Sequence, residues 1–295
     1  MFRKLIFLII FISPFIAIGQ ICFNTPFNSN QQFGKKFVCS LDSIHKHKKK
    51  KINEGLFVGA NLGFYHANPY TAQYYKGSGI HGSGNVDTTI FSYYNLPALK
   101  QALNDDSFNL AELPAKMHYS ISFYLGVYLK YTYKNSGFFM QFGYTKLTAK
   151  DVFTIVDYNP RFIMGDSIRQ ESIWGSEERT TIDLGYSYTF SPKSNYRPFL
   201  QVGANLTDTK FGNNYINIEG LQYSIANYYD TYFKINQGGV GFGAFAGCGI
   251  DMKFSDAISV MPTFNIYYTH AKMGYLTAPH FNYTFYLTVI LNGLL

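Results

Sequence analysis

The sequence predicts an all-β fold: an eight-stranded antiparallel up-and-down transmembrane β-barrel. Three observations carry that prediction. Eight segments alternate strictly between apolar and small or polar residues, the period of a strand with two unlike faces. The composition is 19% aromatic but only 15% charged, with 26 Gly, 26 Tyr and 28 Phe in 295 residues. The apolar stretches run about 9–11 residues, the length of a tilted membrane-crossing strand, where soluble strands are usually shorter. This aromatic content excludes a disordered chain. Mean hydropathy of −0.08 excludes a helical membrane protein.

The chain begins as an exported one. Arg3 and Lys4 precede an apolar run from Leu5 to Ile18, and Gly19-Gln20 follows. A basic start, a short apolar core and small residues before the cut describe a secretory signal peptide. We therefore divide the chain into a signal peptide (1–19), a periplasmic N-terminal segment (20–53) and a barrel domain (54–295). Losing Arg3 and Lys4 lowers the formal charge from +7 to +5.

Each strand is read from one apolar face. The strands are 54–65, 117–132, 137–150, 179–190, 198–209, 238–252, 257–268 and 281–291. In the second, Tyr119, Ile121, Phe123, Leu125, Val127, Leu129 and Tyr131 form the apolar face. The faces of the others start at Leu56, Phe138, Ile182, Leu200, Val240, Ile258 and Phe281, and none carries a charge. The opposite faces hold Asn61, Gln141, Asp183, Gln201, Asn205, Asn265 and Thr288, the lining of a hydrated interior. A secreted β-sandwich also alternates; strand length, export and the Tyr and Phe at strand ends favour the barrel.

The joints alternate in length. Turns near 134–137, 191–195 and 253–256 are short and carry Gly, Pro, Asn, Ser or Asp. Joints at 66–116, 154–177, 210–237 and 270–280 are long. Barrels of the outer membrane have short periplasmic turns and longer extracellular loops, which orients the chain. Pro262 lacks the donor that a central strand needs, so irregular pairing is expected there. Inward Gly makes room for inward Phe and Tyr, and eight strands enclose a space that side chains nearly fill. A wide aqueous channel is not expected.

Glycine-rich strands recur as Gly55-Leu56-Phe57-Val58-Gly59-Ala60-Asn61-Leu62-Gly63 and from Gly241 to Asp256. On these residues the chain resembles the outer-membrane β-barrel proteins of Bacteroidetes, the PorT-like group. The resemblance covers about 54–291. It implies an eight-stranded barrel and no single activity. An aromatic last residue is usual there; this chain ends Asn292-Gly293-Leu294-Leu295.

Candidate sites are few. His118 and Ser120 sit two apart, as in small lipid A deacylases, with Glu112 as the candidate acid; an inward register argues against lipid cleavage. His66, His81, His270 and His280 map to the loop side without a metal-ligand spacing. The run from His45 to Lys51 is a solvated tether or a contact for anionic headgroups. Cys22 and Cys39 form a candidate disulfide in an oxidising compartment; Cys248 faces lipid. Lys130 and Asp251 form a candidate interior ion pair. A short helix is expected from Asn95 to Leu103. Tyr223, Tyr228, Tyr229, Tyr232 and Phe233 are candidate contact aromatics of the third loop. No catalytic residue, cofactor, metal or nucleic acid is expected. The expected partners are outer-membrane lipid and an envelope protein. The first functional reading is a non-enzymatic barrel displaying loops or joining an envelope assembly. The alternatives are a small pore and a lipid-modifying enzyme.

Overall fold

A computed structural model describes residues 54–79, 84–158, 167–190, 194–225, 238–255, 257–270, 273, 276 and 278–292. Eleven strands are present: β1 (Gly55–His66), β2 (Phe108–Glu112), β3 (His118–Tyr119), β4 (Ser122–Tyr133), β5 (Ser136–Asp157), β6 (Ser167–Thr189), β7 (Tyr196–Ile218), β8 (Leu221–Ser224), β9 (Gly239–Lys253), β10 (Ile258–His270) and β11 (His280–Leu291). Three short helices, α1 (Pro69–Ala72), α2 (Val86–Ile90) and α3 (Leu96–Leu103), lie between β1 and β2.

Eight of the strands form a closed ring by antiparallel pairing, in the order β1, β4, β5, β6, β7, β9, β10, β11 and back to β1. Closure leaves no ring strand with an unpaired edge, the condition for a sheet in lipid. The outward face is apolar and exposed: Leu62, Leu125, Phe142, Leu184, Leu200, Phe242, Ile266 and Leu287 all project from the wall. Aromatics ring both ends of this belt, with Tyr131, Tyr133, Tyr188 and Tyr196 at the short-turn end and Phe64, Phe123, Tyr268 and Phe281 at the other. Such girdles mark the two membrane interfaces.

The ring is not level. β5, β6 and β7 have 22, 23 and 23 residues, against 12 for β1, β4 and β11. Long joints at 154–177 and 210–237 were expected; much of both is strand. β5 and β6 stay paired from Ser136↔Tyr188 to Asp157↔Ser167. β7 turns at Glu219-Gly220, both with positive φ, into β8. That pair of conformations is the two-residue turn that suits a twisted hairpin.

The inner and outer chemistry of the tall wall switches along its length. On β5 the outward residues Phe138, Met140, Phe142 and Tyr144 give way to Lys146, Thr148 and Lys150. The inward residues Gln141 and Thr145 give way to buried Leu147, Ala149, Phe153 and Ile155. The strand leaves lipid near Lys146, and its alternation inverts because water now lies outside and packed protein inside. Helices α1–α3 supply the other half of that packing, with Val86, Ile90, Leu99 and Leu103 fully buried against the wall. Asn68 and Asn85 cap α1 and α2 by accepting from the Tyr70 and Asp87 amides. The expected 95–103 helix is α3; it ends at Asn104 in the left-handed conformation.

One strand expectation needs correction, and the irregular pairing expected at Pro262 is present. The second predicted strand is broken into β3 and β4; between Tyr119↔Ala149 and Tyr124↔Thr145 the ladder to β5 lapses, with the Ser120 amide still donating to the Thr148 carbonyl at 3.0 Å. The alternation slips by one residue at Ser120-Ile121. Tyr119 is therefore buried inside, and His118 and Ser120 face outward rather than inward. At Pro262, β10 keeps its register with β9, but the ladder passes from Val260↔Met252 to Thr263↔Gly249 with no pairs between. The missing N–H leaves a gap without shifting the strand.

Candidate functional site

The interior of the ring is the candidate site, and it is occupied by the protein's own side chains at three levels. At the mouth stands a buried ion pair. Glu177 and Arg179 are both inward on β6, 0% and 1% exposed at the side chain, with a 2.7 Å contact from Glu177 Oε1 to the guanidinium. The second carboxylate oxygen accepts from the phenols of Tyr75 (3.0 Å) and Tyr119 (2.9 Å). Burial, with the Glu177 carboxylate beside them, pushes both phenols well above the usual tyrosine range, so they stay protonated and donate. Arg179 also donates to Thr71 Oγ1 (2.9 Å) and Tyr65 Oη (3.3 Å), and lies over the Tyr119 ring.

The partners come from four places: β1 (Tyr65), α1 (Thr71), the 3₁₀ turn at 73–75 (Tyr75) and β3 (Tyr119). The pair therefore ties the first loop into the mouth of the barrel. Gly175 makes the close approach possible. A Cβ there would stand 2.1 Å from the Tyr75 ring. Gly175→Val is expected to displace Tyr75 and weaken the seating of residues 67–117. Limited trypsin digestion checks this, through faster cleavage at Lys76, Lys100 or Lys116 with the barrel core intact.

The second level is a network of neutral and acidic polar groups. Tyr286 Oη donates to Gln141 Oε1 (3.0 Å), and Gln141 Nε2 donates to Tyr124 Oη (2.6 Å). Gln201 donates to Asn265 (2.7 Å), and Asn265 Nδ2 donates to Tyr267 (3.1 Å) and Tyr286 (3.0 Å). Asp183 receives Tyr267 Oη (2.9 Å) and Asn205 Nδ2. These residues come from β4, β5, β6, β7, β10 and β11. β9 contributes room instead, since a Cβ on Gly247 would meet Asn265 Oδ1 at 1.8 Å.

At the third level Tyr128, Phe139, Phe199, Phe245 and Met261 pack below this network. A cavity of about 30 Å³ remains at the short-turn end, lined by Lys130, Lys134, Arg197 and Asp251 among others. Lys130 and Asp251 both line it, but Asp251 Oδ2 takes Arg197 Nη2 at 2.8 Å instead. Arg197 sits directly opposite Asp251 in the β7–β9 register, which gives it the shorter reach. The Lys130 ammonium lies over the Phe199 ring at 5.5 Å. Arg197 had no signal in the alternation beyond its inward parity.

The remaining candidates lie apart from the bore. No hydrogen bond joins His118 to Ser120 or to a carboxylate among the described residues, and Glu112 pairs across from Thr154 on β2. His66 stacks on Tyr283, and His280 Nδ1 contacts the Ala278 carbonyl. Among the described residues no three metal-binding side chains gather. Cys248 is a free thiol on the exposed outer face. Tyr223, on β8, is half-buried against the loop core rather than free. Tyr228, Tyr229, Tyr232, Phe233, Cys22, Cys39, His81, the 45–51 run and the signal peptide lie outside the described residues. Among the described residues the most exposed aromatics are Tyr93 and Tyr94, between α2 and α3, at 86% and 88%. Their only signal was adjacency to the helix start at Asn95.

A closed sheet with an apolar outside, two aromatic girdles and a polar inside has one physical setting. It is an outer-membrane β-barrel. No protein-family model matches the chain, and no curated protein matches it. Three solved outer-membrane structures are similar to this barrel. Neisserial surface protein A (NspA) has a TM-score of 0.40 at 10% identity, over 81% of this chain and 98% of that one. OprG from Pseudomonas aeruginosa gives 0.34 at 11%, over 82% and 94%. Ail, the attachment invasion locus protein of Yersinia pestis, gives 0.32 at 10%, over 81% and 98%.

Proposed function

We propose that this barrel is a non-enzymatic display scaffold, holding a folded extracellular cap for contact with a partner rather than passing solute. One observation carries the reading. The bore is filled at three levels and its mouth is tied shut, while β5–β7 rise beyond the lipid belt to support a cap with its own apolar core. Barrels mainly position their loops, and binding residues concentrate there. The exposed Tyr93–Tyr94 pair is the face we assign to contact, because large rigid aromatics lose little entropy on binding. Glu177, the carboxylate that holds the mouth, has both oxygens committed to donors, which leaves it unsuited to acid–base work.

Two measurements test this. In planar bilayers the purified protein is expected to give no steady conductance steps; reproducible steps would establish the pore reading instead. On intact cells, Tyr94→Cys is expected to label with a membrane-impermeant maleimide, and Ser255→Cys in a short turn is not. Labelling of Ser255→Cys alone would invert the barrel and end the display reading.

A further inference from the structure

The described lining of the cavity at the short-turn end of the bore holds three basic side chains and one acidic one, which the display role does not use. Lys130 is 5% exposed and lines the 30 Å³ cavity. Its ammonium has three protons to donate, yet no hydrogen bond or ion pair holds it among the described residues; it lies over the Phe199 ring and faces the Asp251 carboxylate as its opposite charge. The described cavity lining also includes Lys134 and Arg197, with Asp251 as its one acidic side chain. Asp251 spends one oxygen on Arg197, and its Oδ1 is buried without a hydrogen bond. A buried acceptor left unmade is costly.

The site is built rather than incidental. The Lys130 side chain runs over Gly137 on β5, and a Cβ there would stand 2.6 Å from Lys130 Cε. The cavity exceeds the space one water needs. It lies inside the wall, out of reach of lipid phosphates on the outer face, and opens beside the exposed turn residue Lys134.

We propose that this cavity binds a small inorganic oxyanion that carries a proton, such as bicarbonate or hydrogen phosphate, taken from the periplasmic side. Such a group accepts from Lys130 and donates its own proton to Asp251 Oδ1, so it serves the lysine and the unpaired acceptor at once. Chloride and sulfate have no proton to give Asp251 Oδ1. The inference is independent of the display reading.

The test uses the folded full-length protein in detergent at constant ionic strength. The midpoint of heat-induced gel-mobility change is followed against bicarbonate, phosphate, sulfate and chloride. Bicarbonate or phosphate is expected to raise the midpoint saturably, with sulfate and chloride giving at most a small unsaturating rise. Lys130→Met is expected to abolish the saturable rise, and Asp251→Asn to remove the preference for protonated anions. Should Lys130→Met fail to fold, Gly137→Ala, which crowds the lysine, is expected to weaken binding at least tenfold. Direct titration of the native protein, by calorimetry or phosphorus NMR, provides the second measurement. No saturable binding of any anion, or equal effects of sulfate and phosphate, or an unchanged response in Lys130→Met, would overturn the proposal.

Discussion

Arg179→Met is expected to release the cap while leaving the barrel assembled. The substitution strands Glu177 as a buried, uncompensated carboxylate at the mouth. Removing one member of a buried pair costs about 3–5 kcal/mol, because the remaining charge keeps its desolvation penalty. That cost falls on the seating of the first loop, since Thr71 and Tyr65 also lose a donor. The readout is trypsin cleavage within 67–117, faster by a factor of about 100 or more if opening limits the rate. The double change Glu177→Leu with Arg179→Met is expected to recover most of the loss, because no buried charge then remains. A double variant as labile as the single one would mean that the pair acts through more than its charges. Conductance is expected to stay absent even with the cap released. The Tyr286–Gln141–Tyr124 network and the aromatics beneath it close the bore independently.

Leu184→Arg is expected to be the most damaging single change on the outer wall. Leu184 is exposed on β6, midway between the girdles, and pairs with Met140 and Ala204. Arginine at the midplane of a barrel's lipid face costs about 2–4 kcal/mol. Folding into lipid vesicles, followed by the heat-modifiable band, measures it. Lys150→Glu provides the contrast. Lys150 is also outward and exposed, but lies above the lipid belt on β5. A surface change there is worth within about 0.5 kcal/mol. If the two variants fold equally well, the belt does not meet lipid at Leu184.

The barrel was legible because its solvent is written into every strand. A residue pointing at lipid must be apolar and its neighbour need not be, so Phe123-Tyr124-Leu125 or Phe285-Tyr286-Leu287 announces its two faces without any knowledge of partners. The cap was harder to see for the same physical reason. Above Lys146 the outer solvent becomes water, and Phe153 and Ile155 turn inward while the alternation continues with its meaning reversed. A rule that assigns apolar faces to lipid stops there and reads the rest as loop. The slip at Ser120-Ile121 was equally hidden, because Tyr119 is as plausible outside a membrane strand as inside a protein core.

The site was legible in kind and not in pairing. Inward parity marked Lys130, Asp251, Asp183 and Gln141 as interior groups. Which of them meet depends on strand neighbours around the ring. Asp251 finds Arg197 because β7 and β9 are adjacent, not because of any spacing along the chain. Glu177 and Arg179 are two apart on β6, which shows a shared face. Only the folded first loop and β3 together supply the two phenols and the threonine that make burial of that pair tolerable. The sequence alone determined the strands, their lipid face and the polarity of the interior, since these follow from local period and solvent. The tertiary structure decided the height of the wall, the seal at the mouth and the cation-lined cavity at the other end. Those depend on which distant residues the closed ring brings within hydrogen-bond reach.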